Sequence, residues 1–195
     1  HRIARRQRQM CIRDSDYPEE FFKEKVHTIR RPRPDDYQIK QAVETIKKSK
    51  NPIIISGGGV FYSDAMKELS EFAKKHNIPT AQTVMGYSTM KRDDPYFLGA
   101  IGGFGGKATN NFMKKTDLAI AVGTKLADFT TGSWSNFENP NFKLVSINVS
   151  RFDANKHMAE SVVGDAKVSL LDISNALGNW KAPDDWYKKS REALN

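Results

Sequence analysis

The chain alternates short apolar runs with amphipathic stretches. The run Asn51-Pro52-Ile53-Ile54-Ile55-Ser56 breaks into Gly57-Gly58-Gly59. Leu118-Ala119-Ile120-Ala121-Val122 ends at Gly123-Thr124, and Leu144-Val145-Ser146-Ile147 ends at the polar Asn148. Short apolar runs bounded by turn residues describe strands buried on both faces, as in a parallel sheet. Between them, Ile39, Val43 and Ile46 share one helical face behind a cap at Asp35 or Asp36. Met66, Leu69, Phe72 and Ala73 do the same in a helix predicted from Ser63 or Asp64 to about His76. Ile78 to Thr83 reads as a short second strand with proline near its start. Lys107 to Lys114 reads as a helix, Ser161 to Val163 as a brief strand, and Ala166 to Leu177 as a last helix capped by Asp165. This alternation predicts an α/β fold, a doubly wound, Rossmann-like parallel sheet of five or six strands flanked by helices. Asp94 to Gly106, with five glycines, reads as loop, as does Gly132 to Asn141.

Composition adjusts the boundaries. Residues 1–14 (HRIARRQRQMCIRD) carry five Arg and one Asp, and have no apolar periodicity. They read as a leader foreign to the fold. They hold half of the net charge of +8, and the rest is scattered over many lysines. Scattered charge predicts a solvated surface and no nucleic-acid partner. Residues 15–34, with Arg30-Arg31-Pro32-Arg33-Pro34, read as an interdomain linker. The domain is expected over 35–180, with a linker or helix starting at 181. No run approaches eighteen apolar residues, so no membrane association is expected. The one cysteine, Cys11, lies in the leader. A cysteine-free domain suits a reducing compartment and is read as cytoplasmic.

Candidate chemistry gathers at the strand ends. Gly57-Gly58-Gly59, between a strand and a helix, is the context for a phosphate-cradling turn. It matches neither G-x-G-x-x-G nor a P-loop, so a purely structural turn stands beside nucleotide binding. Thr83, Gly123, Lys125 and Asn148 end the neighbouring strands and complete a candidate nucleotide crevice. Lys125 beside Asp128 also fits a surface pair. The glycine cluster Gly99 to Gly106 fits a flexible loop or a close backbone approach. His1, His27, His76 and His157 have no metal-ligand spacing, and no nucleophile–base pattern is present. No catalytic or metal-binding residue is assigned.

These segments, in this order, resemble the central domain of thiamine-diphosphate enzymes, a group that includes acetolactate synthase and pyruvate oxidase. The likeness covers about Asp35 to Gly178. It rests on Gly57 to Gly59, on Thr83 with Gly86, on Asp117 to Thr124 and on Gly164-Asp165-Ala166. Asp16 to Phe22, Phe129 to Ser133 and Ser146 to Ala154 resemble the carbon–carbon hydrolase branch that acts in inositol breakdown. The resemblance implies a central domain in a longer, homo-oligomeric chain. Thiamine diphosphate and Mg2+ would be held by first and third domains that this sequence lacks, and the domain alone would be inactive. Flavin-binding relatives carry Arg at the position of Lys125 and an acidic residue at that of Asn148. These departures argue against FAD or ADP here. A flavin-binding acetolactate-synthase type and a free-standing nucleotide-binding module remain the alternatives.

Overall fold

The computed structural model describes residues 16–28 and 30–194. Among the described residues, six strands form one parallel sheet: β1 (Pro52–Ser56), β2 (Thr80–Gln82), β3 (Phe97–Ala100), β4 (Leu118–Val122), β5 (Lys143–Asn148) and β6 (Glu160–Val163). Their order is β3-β2-β1-β4-β5-β6. Chain order reverses between β1 and β4, which makes the carboxyl ends of those strands the switch point of the sheet. Ile54 pairs with Ile120, and Ser56 with Val122.

The helices are α1 (Asp36–Lys48), α2 (Gly58–Tyr62), α3 (Met66–His76), α4 (Lys107–Met113), α5 (Asp128–Thr131), α6 (Arg151–Ala154), α7 (Ala166–Leu177) and α8 (Asp184–Glu192). The Asp35 carboxylate accepts from Gln38 N–H at 2.8 Å and fixes the start of α1. Ile46, Leu69, Phe72 and Leu170 bring α1, α3 and α7 onto one face, over Ile54, Ile120 and Ile147. Ile53, Ile55, Ala119 and Ala121 point to the other face, as the two-residue strand period requires, under Phe112, Met113 and Trp186. Burying side chains such as Ile53 and Ile54 contributes about 1.5–3 kcal/mol each.

Four features differ from the sequence reading. Phe97–Ala100 is a strand, although it lies within the expected loop; Gly99, at φ +98°, shifts the β2–β3 register and hides the strand pattern. The helix expected from Ser63 begins at Met66, because Asp64 at φ +51° separates it from α2. Residues after 180 continue the fold. Trp186 on α8 stacks on Phe112 at a ring separation of 4.2 Å, and its Nε1–H donates to the Pro52 carbonyl at 2.7 Å. Arg31 to Pro34 belongs to the compact unit, which begins at Arg31. The described residues up to Arg30 belong to a separate unit; among them Glu19–Phe22 forms a 3-10 turn, and Tyr17 stacks on Phe21. The proposed leader, 1–14, lies outside the described residues.

At each outer edge of the sheet a side chain engages backbone groups. Val163 N–H on β6 donates to Gln38 Oε1 at 2.7 Å. Beside β3, the Pro95 and Phe97 carbonyls accept from Arg191 at 3.0 and 3.3 Å. No helix among the described residues is long and apolar enough to cross a membrane.

Candidate functional site

The carboxyl ends of β1 and β4 meet backbone to backbone. Gly57 N–H donates to the Val122 carbonyl at 2.8 Å, and Gly59 N–H to the Gly123 carbonyl at 2.9 Å. A Cβ at Gly59 would lie 2.6 Å from Gly123 Cα, and one at Gly57 would overlap the Gly123 carbonyl oxygen. Gly123 adds a φ of +61°, which glycine adopts without strain. The helix that follows, α2, has five residues. Two of the three amides expected to cradle a phosphate are thus engaged within the protein.

The remaining candidates divide around this contact. On the β2 side, a Cβ at Gly58 would press on the Met85 carbonyl at 2.9 Å. Thr83 is buried; its N–H donates to the Ser56 carbonyl and its hydroxyl accepts from Gly86 N–H at 3.0 Å. On the β5 side, Asn148 Nδ2 donates to the Thr124 carbonyl at 3.2 Å, and its Oδ1 accepts from Ser150 N–H at 2.9 Å. Lys125 is exposed and forms no ion pair with Asp128 among the described residues. The structure brings Gly57, Gly59 and Gly123 into contact, and leaves Thr83 and Lys125 on opposite sides of them.

One carboxylate at this end of the sheet is perturbed. Asp153, on α6 after β5, is held below its ordinary range first by the hydrogen bond it accepts from Lys156 at 2.6 Å. Ser150 and the charges of Lys156 and Lys125 act in the same direction. The Lys156 ammonium also sits 4.5 Å from the centre of the Phe152 ring. Among the described residues, no group of three or more His, Cys, Asp or Glu is placed to hold a metal ion.

Open space lies beside the crevice. A groove of about 950 Å³ runs past the ends of β2 and β3, lined by Gln82, Thr83, Tyr87, Lys91 and Phe104 among others. Gln82 is buried, and its Oε1 has no hydrogen-bond partner among the described residues. Across the β3 end, Asn110 on α4 clamps Gly102, accepting from its N–H at 3.0 Å and donating to its carbonyl at 3.1 Å. Sequence reasoning missed this clamp. Its signal was an amide residue eight positions after a glycine, on the helix that the glycine cluster introduces.

Residues 39–173 match the family model for the thiamine pyrophosphate enzyme central domain. The chain belongs to the thiamine pyrophosphate enzyme central-domain family. Similar proteins carry the name 3D-(3,5/4)-trihydroxycyclohexane-1,2-dione hydrolase. That of Clostridium perfringens strain 13 is 44% identical over 162 residues, covering 83% of this chain and 25% of its own length. That of Clostridium tetani is 43% identical over 180 residues, covering 92% and 28%. That of Clostridium botulinum Alaska E43 is 45% identical over 172 residues, covering 85% and 27%. The chain therefore spans about a quarter of the length of the curated relatives it matches. In this thiamine pyrophosphate enzyme central domain, the Gly-Asp-Ala element has a defined local use. Asp165 Oδ1 accepts from Lys167 and Val168 N–H at 3.0 and 3.4 Å and caps α7, while Ala166 is buried.

Proposed function

We propose that this domain serves as the scaffold of a longer thiamine-diphosphate enzyme that hydrolyses a carbon–carbon bond of trihydroxycyclohexane-1,2-dione in inositol breakdown. The observation that carries this reading is identity of 43–45% to relatives of that name, over 83–92% of the chain. The longer protein is proposed to be a cytoplasmic homodimer or homotetramer.

The residues present do not fit the thiamine diphosphate–Mg2+ group. Among the described residues no acidic cluster is placed for a cation, and the Gly57 and Gly59 amides already donate to backbone carbonyls. We place that site in the other domains of the longer chain. The same engagement supports reading Gly57, Gly58, Gly59, Thr83, Gly123, Lys125 and Asn148 as an inherited crevice that holds no FAD or ADP. An arginine fork and an acidic ribose ligand would be needed where Lys125 and Asn148 stand.

The test compares this chain with the longer protein that contains it, each supplied with thiamine diphosphate, Mg2+ and the cyclic dione. Ring opening by the longer protein, with none from this chain, is expected. Ring opening by this chain alone overturns the scaffold role. A longer protein that binds FAD and leaves the dione intact overturns the assigned reaction.

A further inference from the structure

We infer that the carboxyl end of the sheet is the docking surface for the domain preceding residue 31 in the longer chain. The segment Arg31 to Pro34 is the strap that positions that domain. This rests on the proposed place of the chain in a longer enzyme.

The strap is fastened at every residue. Arg31 Nη1 pairs with Asp165 Oδ2 at 3.0 Å and also donates to the Ser63 carbonyl. Asp165 N–H donates to the Pro32 carbonyl at 2.8 Å. Arg33 reaches Asp172 on α7 at 3.3 Å. Pro34 is buried against Gly164, where a Cβ would lie 2.7 Å from Pro34 Cδ. The Asp165 carboxylate therefore does two things: one oxygen caps α7, and the other holds the strap. The pair is a charge-assisted hydrogen bond with a nearly buried acceptor, the stronger kind of ion pair.

The strap also has a direction. Ser63 follows β1 and α2, and Asp165 follows β6, so the polypeptide reaches the domain at the carboxyl ends of the strands. The turns and short helices that follow the strands at that end expose large apolar side chains: Phe61, Met85, Tyr87, Phe104, Phe129 and Phe152 are 53–76% exposed. Phe104, after β3, and Phe129, on α5 after β4, already meet edge to face at 4.9 Å. The opposite end of the sheet exposes Met158 ahead of β6, beside a cavity of about 690 Å³ lined by Phe142 and Leu144. There, Asp117 accepts from the N–H groups of Lys50 and Asn51 at 2.8 and 3.0 Å. A concentrated apolar surface marks an interaction site. The groove sits within this surface, where the buried Gln82 Oε1 has no hydrogen-bond partner among the described residues. About three quarters of the relatives' length lies outside the matched region, enough to supply the covering domain.

Amide hydrogen exchange at residues 83–88, 102–105 and 128–131 tests this, in this chain and in the longer protein. These amides are expected to exchange at least about tenfold more slowly in the longer protein. Deleting the domain ahead of residue 31 should restore fast exchange. Arg31→Ala leaves the α7 cap intact. In the longer protein it should speed exchange at this surface several-fold, and Arg31→Lys should recover part of the protection. In this chain alone, neither substitution should change it. Equal exchange in both proteins overturns the docking surface. Protection that survives the deletion assigns the surface to another domain and overturns the occupant. Protection that grows with the concentration of this chain assigns it to a second copy, with the same consequence. An ineffective Arg31→Ala overturns the strap. Loss of dione hydrolysis as the assigned reaction leaves these exchange results unaffected, so the two readings fail separately.

Discussion

Gly59 and Gly123 stand so close that a Cβ on either would lie 2.6 Å from the other's Cα. The contact joins the two strands at which the sheet reverses its order. A side chain here would force the strand ends apart.

Gly123→Ala should therefore destabilise the domain by about 2–5 kcal/mol, combining overpacking with left-handed backbone strain. Gly106→Ala is the control, since a Cβ there meets only Thr109 Oγ1, at 3.9 Å. Urea unfolding of both variants checks this. A Gly123→Ala midpoint equal to that of the control would disprove the close-contact argument.

Trp186 fastens α8 to the sheet. Trp186→Ala should cost about 3–5 kcal/mol through the cavity it leaves. Trp186→Phe keeps a ring against Phe112 but strips the Pro52 carbonyl of its donor, for about 1–3 kcal/mol. Thermal unfolding should rank the three proteins in that order.

How much of this was legible in the sequence varies with burial. β1, β4 and the apolar middle of β5 stand out because both faces are covered, which leaves uninterrupted apolar runs. β3 does not, because Gly99 interrupts it at the point where the register shifts. α8 is polar except on the face that Trp186 presents, so its packing is visible only once Phe112 and Pro52 are in place. The candidate glycines were legible as strand-end turns. What occupies their amides was not, because the acceptors come from β4 and its turn, far along the chain. Arg31 looked like one charge in a basic linker, and only the fold brings Asp165 to it.

His76 gives stability a pH dependence. It is buried, with Nδ1 at 2.8 Å from the Trp180 carbonyl and Nε2 at 2.9 Å from Ser174 Oγ. Its pKa is lowered, first by burial and then by the charges of Lys75 and Lys181, against the opposing hydrogen bond to Trp180. The unfolded chain therefore binds a proton here more readily than the folded one. The stabilisation from neutral His76 is complete above the unfolded value of about 6.5 and is lost as pH falls from there through the folded pKa. Urea midpoints at several pH values should show this slope in the native chain and a shallower one in His76→Gln. An unchanged slope would remove His76 as its source.

The crevice should be silent to nucleotides. Calorimetric titration with ADP, FAD and NAD is expected to give no binding heat, because Gly57, Gly59 and Asn148 spend their polar groups on the protein itself. Saturable binding of any of the three, abolished by Asn148→Ala, would restore the crevice as a ligand site.

Gln38 and Arg191 lie on different helices and cover opposite borders of the sheet. Each occupies backbone groups that an added strand would need. Gln38→Ala or Arg191→Ala should free those backbone groups and raise thioflavin-detected aggregation on prolonged incubation; aggregation equal to that of the native chain would remove the side chains as edge protection. Both borders are thus engaged by side chains of the domain itself, and the strand ends are left as the surface we infer for docking.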